Sequence, residues 1–158
     1  MNGVSASRVG ALNGDKFLQR ITALAKNVFG DDLLVCSAEP MTGFFRNGKC
    51  DTCGEDSGMH TVCVEMTAEF LKFSKKAGND LSTSQPEYRF PGLKPGDHWC
   101  LCLPRWIEAL EAGMAPKLLL KATHISAIEH ISMDVLLEYA LDADDYVPEP
   151  ASDDDDDV

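Results

Sequence analysis

Two short runs, Thr61–Met66 (TVCVEM) and His98–Leu103 (HWCLCL), alternate between two kinds of residue, and that alternation limits what can be built around them. Successive side chains of a strand point to opposite faces. The first run therefore sets Thr61, Cys63 and Glu65 against Val62, Val64 and Met66. The second sets His98, Cys100 and Cys102 against Trp99, Leu101 and Leu103. β-Branched and aromatic residues favour both as strands. Shorter apolar runs at Leu33–Cys36 and Lys117–Ala122 are further strand candidates.

Helical patterns separate these runs. Asp15 caps a predicted helix over Lys16–Lys26, with Phe17, Ile21, Leu24 and Ala25 at helical spacing. Thr67 caps one over Ala68–Ala77, and Gly78 suits the position just past its end. Pro104 opens a third, ended by Gly113, and further helical stretches fall at Ile125–His130 and, after Ser132, at Met133–Ala140. Pro40–Gly58 and Asn79–Asp97 read as long loops. This order predicts an α+β two-layer sandwich: a short, mostly antiparallel or mixed sheet with helices on one face. A compact α/β fold is the alternative.

At 158 residues the chain is one domain, expected over residues 27–142. Residues 1–26 form a partly helical N-terminal extension and 143–158 an acidic, disordered tail. Residues 142–158 carry nine acids and no Lys or Arg; without those nine the net charge of −12 falls to −3. An Asp run repels itself and buries nothing, so the tail either solubilises the chain or contacts a basic partner. No basic stripe neutralises phosphates, which excludes nucleic acid as a ligand. No apolar run reaches the roughly 18–20 residues of a spanning helix, which excludes a membrane span. The N-terminus lacks a signal peptide's apolar core, so the expected location is cytoplasmic, with thiols reduced. Arg8 with Ser5 and Ser7, before any acid, leaves an organellar presequence as the alternative.

The most specific chemical feature is CDTCGEDSGMHTVC, which spaces Cys50-x2-Cys53-x6-His60-x2-Cys63. Zinc takes thiolate and imidazole ligands in a tetrahedron, and Cys-x2-Cys lets two thiolates meet one ion from a tight turn. The span equals that of a Cys-Cys-His-Cys zinc knuckle, but the histidine comes two residues later. Asp51, Glu55 and Asp56 would also repel the nucleic acid that knuckles bind. Two roles for these thiols compete with zinc. Cys36, Cys63, Cys100 and Cys102 can be small buried hydrophobes, since free cysteine is often buried. Alternatively, Cys63 or Cys100 is a nucleophile, with His60 or His124 as its base.

The loop after the second helix gathers Asn79, Asp80, Ser82 and Thr83, a candidate small-ligand site on a rigid scaffold. Turn chemistry accounts for the same residues, because Asn, Asp and Ser satisfy their own backbone. His124 either caps the following helix or supplies a site imidazole. No nucleophile elbow, phosphate-binding loop, dinucleotide fingerprint or His-Glu-x-x-His occurs.

Four long runs, NVFGDDLLVCSAEPMTGFFRNGKC, GMHTVCVEMTAEFLKFSKKAGNDLST, FPGLKPGDHWCLCLPRW and EAGMAPKLLLKATH, resemble domain-of-unknown-function family 2237 over about Asn27 to Asp142. The resemblance implies an α+β fold in a small soluble protein and no established activity. In that family the position of Cys53 is usually glycine. A family-wide metal site would then use Cys50, His60, Cys63 and one of Cys36, Cys100 or Cys102. The preferred expectation is a module that binds a small ligand or zinc on a Cys/His face. A thiol-dependent enzyme and an interaction protein using the acidic tail are the alternatives.

Overall fold

The computed structural model describes residues 25–146. A three-stranded antiparallel sheet stands at its centre, with β1 (Val62–Glu65) between β2 (His98–Leu101) and β3 (Lys117–Leu118). Val62 pairs with Leu101, Cys63 with Cys100, Val64 with Trp99 and Glu65 with His98. Directly opposed residues share a face, so this register sorts the two compositions expected from the alternation. Val62, Val64, Trp99, Leu101 and Leu118 belong to the main core. Cys63 and Cys100 lie on the other face, where His98 Nε2 and Glu65 Oε1 also meet at 3.2 Å.

Three helices cover the apolar face. In α1 (Ala68–Lys76) the Thr67 hydroxyl accepts from the Phe70 amide, and Phe70 and Leu71 are buried. The chain leaves α1 through Gly78 at φ +100°, a left-handed turn that glycine adopts without strain. In α2 (Leu103–Glu111) Leu103, Trp106 and Ala109 face inward. Trp106 is fully buried; its indole N–H donates to the Pro116 carbonyl at 3.0 Å and Tyr139 packs edge-on against its ring. In α3 (Met133–Tyr139), capped by Ser132, Leu136 is the inward residue. The fold is α+β, with its helices on one face of the sheet.

Several elements differ from the sequence expectation. Leu33–Cys36 is not a strand, because its amides bond to scattered partners: Leu33 to the Ala25 carbonyl, Leu34 to Lys121 and Cys36 to Gly48. The second run ends as a strand at Leu101; Cys102 is already the N-cap of α2 and Leu103 its first residue. Lys117–Ala122 pairs only over Lys117–Leu118 and then turns as a 3-10 segment, Leu120–Ala122. The reason is a carboxylate: Asp142 accepts from the Leu120 amide at 2.8 Å and the Lys121 amide at 2.9 Å. Ile125–Glu129 is a 3-10 segment rather than an α-helix.

The predicted helix over Lys16–Lys26 falls outside the described residues except at its end, where Lys26 instead bridges to Asp32. Within the expected tail, Ala143–Asp145 form a 3-10 turn, Asp145 meets Lys121 at 3.1 Å and Tyr146 packs against Phe29. The Asp run itself lies outside the described residues. Among those residues no helix is long and apolar enough to cross a membrane.

Asp142 closes the sheet end by holding two amides at once. Asp142→Ala leaves both without that partner and is expected to cost about 1–3 kcal/mol of stability. Urea denaturation of both proteins measures it, and an unchanged midpoint would show the carboxylate to be dispensable.

Candidate active site

The segment before β1 is irregular, yet its polar groups are closely matched. Asp56 has a fully buried side chain. Its Oδ2 accepts from the Thr52 hydroxyl at 3.0 Å and the His60 amide at 2.9 Å, while its Oδ1 lies 2.7 Å from His60 Nδ1. Burial pushes the carboxyl up, but the bonds from the His60 ring, the His60 amide and Thr52 outweigh it and hold it below its ordinary value. The intervening Met59 has φ 51°, an uncommon conformation for a side-chain-bearing residue. Its carbonyl accepts from the Leu103 amide at 2.8 Å, which ties the His60 segment to the start of α2.

That tie brings His60 to Cys102. Cys102 Sγ lies 3.2 Å from His60 Nε2. The three side chains form a continuous line, Cys102–His60–Asp56, from a half-exposed thiol to a buried carboxylate. The bond to Cys102 is the main reason the His60 pKa rises from 6.5 to about 9; partial burial opposes it and the Asp56 bond adds to it. His60 is therefore protonated at neutral pH, donating from both ring nitrogens. Cys102 also occupies the N-cap of a nine-residue helix, whose positive end favours negative charge.

A cavity of about 240 Å³ opens over this line. His60, Asn79, Trp99 and Cys102 line it, together with Phe44 and Arg46 from the preceding loop. Phe44 stacks beside the His60 ring, with centroids 6.4 Å apart. The Arg46 guanidinium sits 5.4 Å above the Trp99 ring. Gly58 packs under the pair: a Cβ there would stand 2.8 Å from His60 Cε1 and 3.2 Å from Cys102 Sγ.

The expected site residues scatter differently. Cys63 is disulfide-bonded to Cys36 and Cys100 to Cys50, so neither is a free nucleophile. The same bonds correct the expectation of reduced thiols: among the described residues only Cys53 and Cys102 are free. They also separate the expected zinc ligands. Cys50 and Cys63 are engaged in different disulfides, Cys53 is exposed, and His60 faces Cys102 and Asp56. His124 caps the 3-10 segment, its Nδ1 accepting from the Ser126 amide at 3.0 Å. Burial lowers its pKa, against the nearby charges of Asp51 and Glu129.

In the loop after α1, Asn79 lines the cavity, whereas Asp80 accepts from the Ser82 and Thr83 amides and the Thr83 hydroxyl. The bond from the Thr83 hydroxyl is the main cause that lowers the Asp80 pKa, with the Ser82 amide next. Sequence reasoning selects His60 but misses Asp56, and it offers Cys102 only as a packing residue or an optional fourth metal ligand, not as a nucleophile. Two signals are present in the chain: Asp56 and His60 are four apart, and Cys102 stands where a strand meets a Pro-initiated helix.

The family described as an uncharacterized protein conserved in bacteria, DUF2237, matches residues 26–140, and the chain belongs to it. No curated protein matches the chain.

The raised His60 pKa has a consequence for stability. Between about 6.5 and about 9 the folded state holds this proton more tightly than the unfolded state does. The stabilisation is therefore complete below about pH 6.5 and lost as pH rises through about 9. Relative to His60→Gln, the unmodified protein is expected to lose stability across that interval, measured by urea denaturation at a series of pH values. Parallel pH profiles for the two proteins would show that the imidazole gains nothing from its partners.

Proposed function

We propose that this member of the DUF2237 family is a thiol-dependent enzyme that attacks a small acyl substrate through Cys102, with His60 as acid and base and Asp56 as the group that orients it. The carrying observation is the line of contacts at 3.2 and 2.7 Å beside an open cavity. Nucleophile, base and orienting carboxylate within hydrogen-bond reach form the arrangement by which a side chain becomes a covalent catalyst. Cys102 replaces the Cys63 and Cys100 candidates because it is free and half-exposed.

The chemistry closes on these three residues. The Cys102 sulfur adds to the carbonyl carbon, and the protonated His60 passes its Nε2 proton to the leaving group as the carbon–leaving-group bond breaks. A thioester and a neutral imidazole remain. His60 then takes a proton from water, the resulting hydroxide attacks the thioester, and the acid departs as sulfur regains its electron pair. Asp56 keeps its negative charge throughout; its bond to Nδ1 fixes the ring so that Nε2 faces sulfur. The cavity volume favours a compact substrate, and Trp99 and Phe44 offer it flat apolar walls.

Alkylation and turnover measurements test this. Iodoacetamide at neutral pH is expected to label Cys102 first, with labelling of the exposed Cys53 slower. Cys102→Ser should abolish the fast phase, and His60→Gln should slow turnover of an activated ester by roughly 100- to 10,000-fold. Peptide mass mapping and ester hydrolysis measure these; a fast phase located at Cys53, or hydrolysis unchanged in Cys102→Ser, would remove Cys102 from the chemistry. Gly58→Ala should lower turnover while retaining the fold, because its methyl group displaces the His60 ring; unchanged turnover in a folded variant would show the ring position to be unimportant.

A further inference from the structure

The four disulfide-bonded cysteines gather on one face of the sheet. Cys36, Cys50, Cys63 and Cys100 form a second, small buried cluster on the face of the sheet opposite the helices, completed by Ala122 and Leu119. Their exposures are 7%, 0%, 0% and 1%. Cys63 and Cys100 face one another across β1 and β2. Their amides point outward to the hydroxyls of Thr123, at 3.1 Å, and Thr42, at 2.9 Å. Cys36 and Cys50 come down onto them from the loop. The sulfurs of Cys36, Cys50 and Cys100 all lie within 4.8 Å of one another, and that of Cys63 is bonded to Cys36.

Two isolated disulfides need no such convergence; a tetrahedral ion does. Zinc holds thiolate sulfurs at about 2.3 Å, which puts neighbouring sulfurs about 3.8 Å apart. Once reduced, Cys50 and Cys100 would open apart to that spacing, while Cys36, within 4.8 Å of both, needs to move inward by only about 1 Å. Cys63, once released from Cys36, already projects beside Cys100 on the same face. Ala122 and Leu119 pack against the four sulfurs and shield them from water. A cavity bounded by Cys36 and Cys63 together with His98 and Asp142 provides an entrance for a reductant or an ion.

We propose that the two disulfides are the oxidised form of a four-cysteine metal site, and that the reduced chain binds one Zn2+ through Cys36, Cys50, Cys63 and Cys100. Each disulfide takes two electrons and two protons from a dithiol, which leaves as its own disulfide, giving two thiols. Zn2+ then replaces the four thiol protons. Both forms anchor the loop that carries Asp56 to the strand that leads into Cys102. The ion and the disulfides are alternative clamps on the same loop, selected by the redox state.

The full chain, without a histidine tag, is reduced with a dithiol in the absence of oxygen, mixed with Zn2+, freed of excess metal and analysed for zinc. One zinc per chain is expected, retained in Cys53→Ser and Cys102→Ser and lost in Cys36→Ser and Cys50→Ser. Because the last two variants can fail to fold, Co2+ is also bound to the unaltered reduced chain, where sulfur-to-metal charge transfer of four-thiolate strength is expected. A folded, reduced chain that retains no zinc would overturn the proposal. So would zinc lost in Cys102→Ser but kept in Cys36→Ser, which would place the ion at the candidate active site. If reduction unfolds the chain, refolding on addition of Zn2+ supports the site and failure to refold rejects it.

Discussion

The pairing of Cys63 with Cys100 in the β1–β2 ladder is the constraint on which the rest depends. Side chains alternate with a period of two, so this register sends Val62, Val64, Trp99 and Leu101 to the helices and the cysteines away from them. A slip of one residue would bury Glu65 and His98 in the main core and expose its valines. The helices supply most of the apolar burial, and the cysteine face anchors the chain's irregular part.

That part, from Ala25 to Thr61, contains no helix or strand of its own, and its backbone is satisfied by turns, by distant carbonyls such as those of Lys121 and Thr123, and by side chains. Asn27 is almost fully buried; its amide nitrogen donates to the carbonyls of Asp32 and Lys121 while its oxygen accepts from the amides of Phe29 and Asp31. Thr42 and Thr123 close the outer side of the β1–β2 pair. Such groups cost free energy when buried without partners, so each bond holds the loop in one path. The result is a loop rigid enough to place Asp56 and His60.

Cys102 gains its role from a boundary. Had the strand continued to Leu103, as its alternation suggested, Cys102 would be one more residue of the cysteine face. Because α2 begins at Leu103, Cys102 becomes an N-cap with a half-exposed sulfur. The Leu103 amide then bonds to Met59 rather than extending the ladder, and this bond draws the His60 segment against the thiol. The same few residues thus end a strand, start a helix and assemble the candidate site.

Local physical chemistry decided much of the fold in advance. The periods of Thr61–Met66 and His98–Leu101, the Thr67 and Ser132 caps and the Gly78 stop are short-range effects, and the α+β arrangement follows from them. His60 was visible as a candidate because it stands between Cys53 and Cys63 at a spacing that suits metal ligation or thiol activation. Which thiol it would meet was not visible, since Cys102 lies 42 residues away and Cys63 only three. The cysteine partners 36 with 63 and 50 with 100 were equally hidden: several pairings satisfy the same spacing, and only packing of the loop against the sheet selects among them. Sequence periodicity determines which way a side chain points from its own element; which chain-distant side chains then share a point in space is decided by how the elements pack.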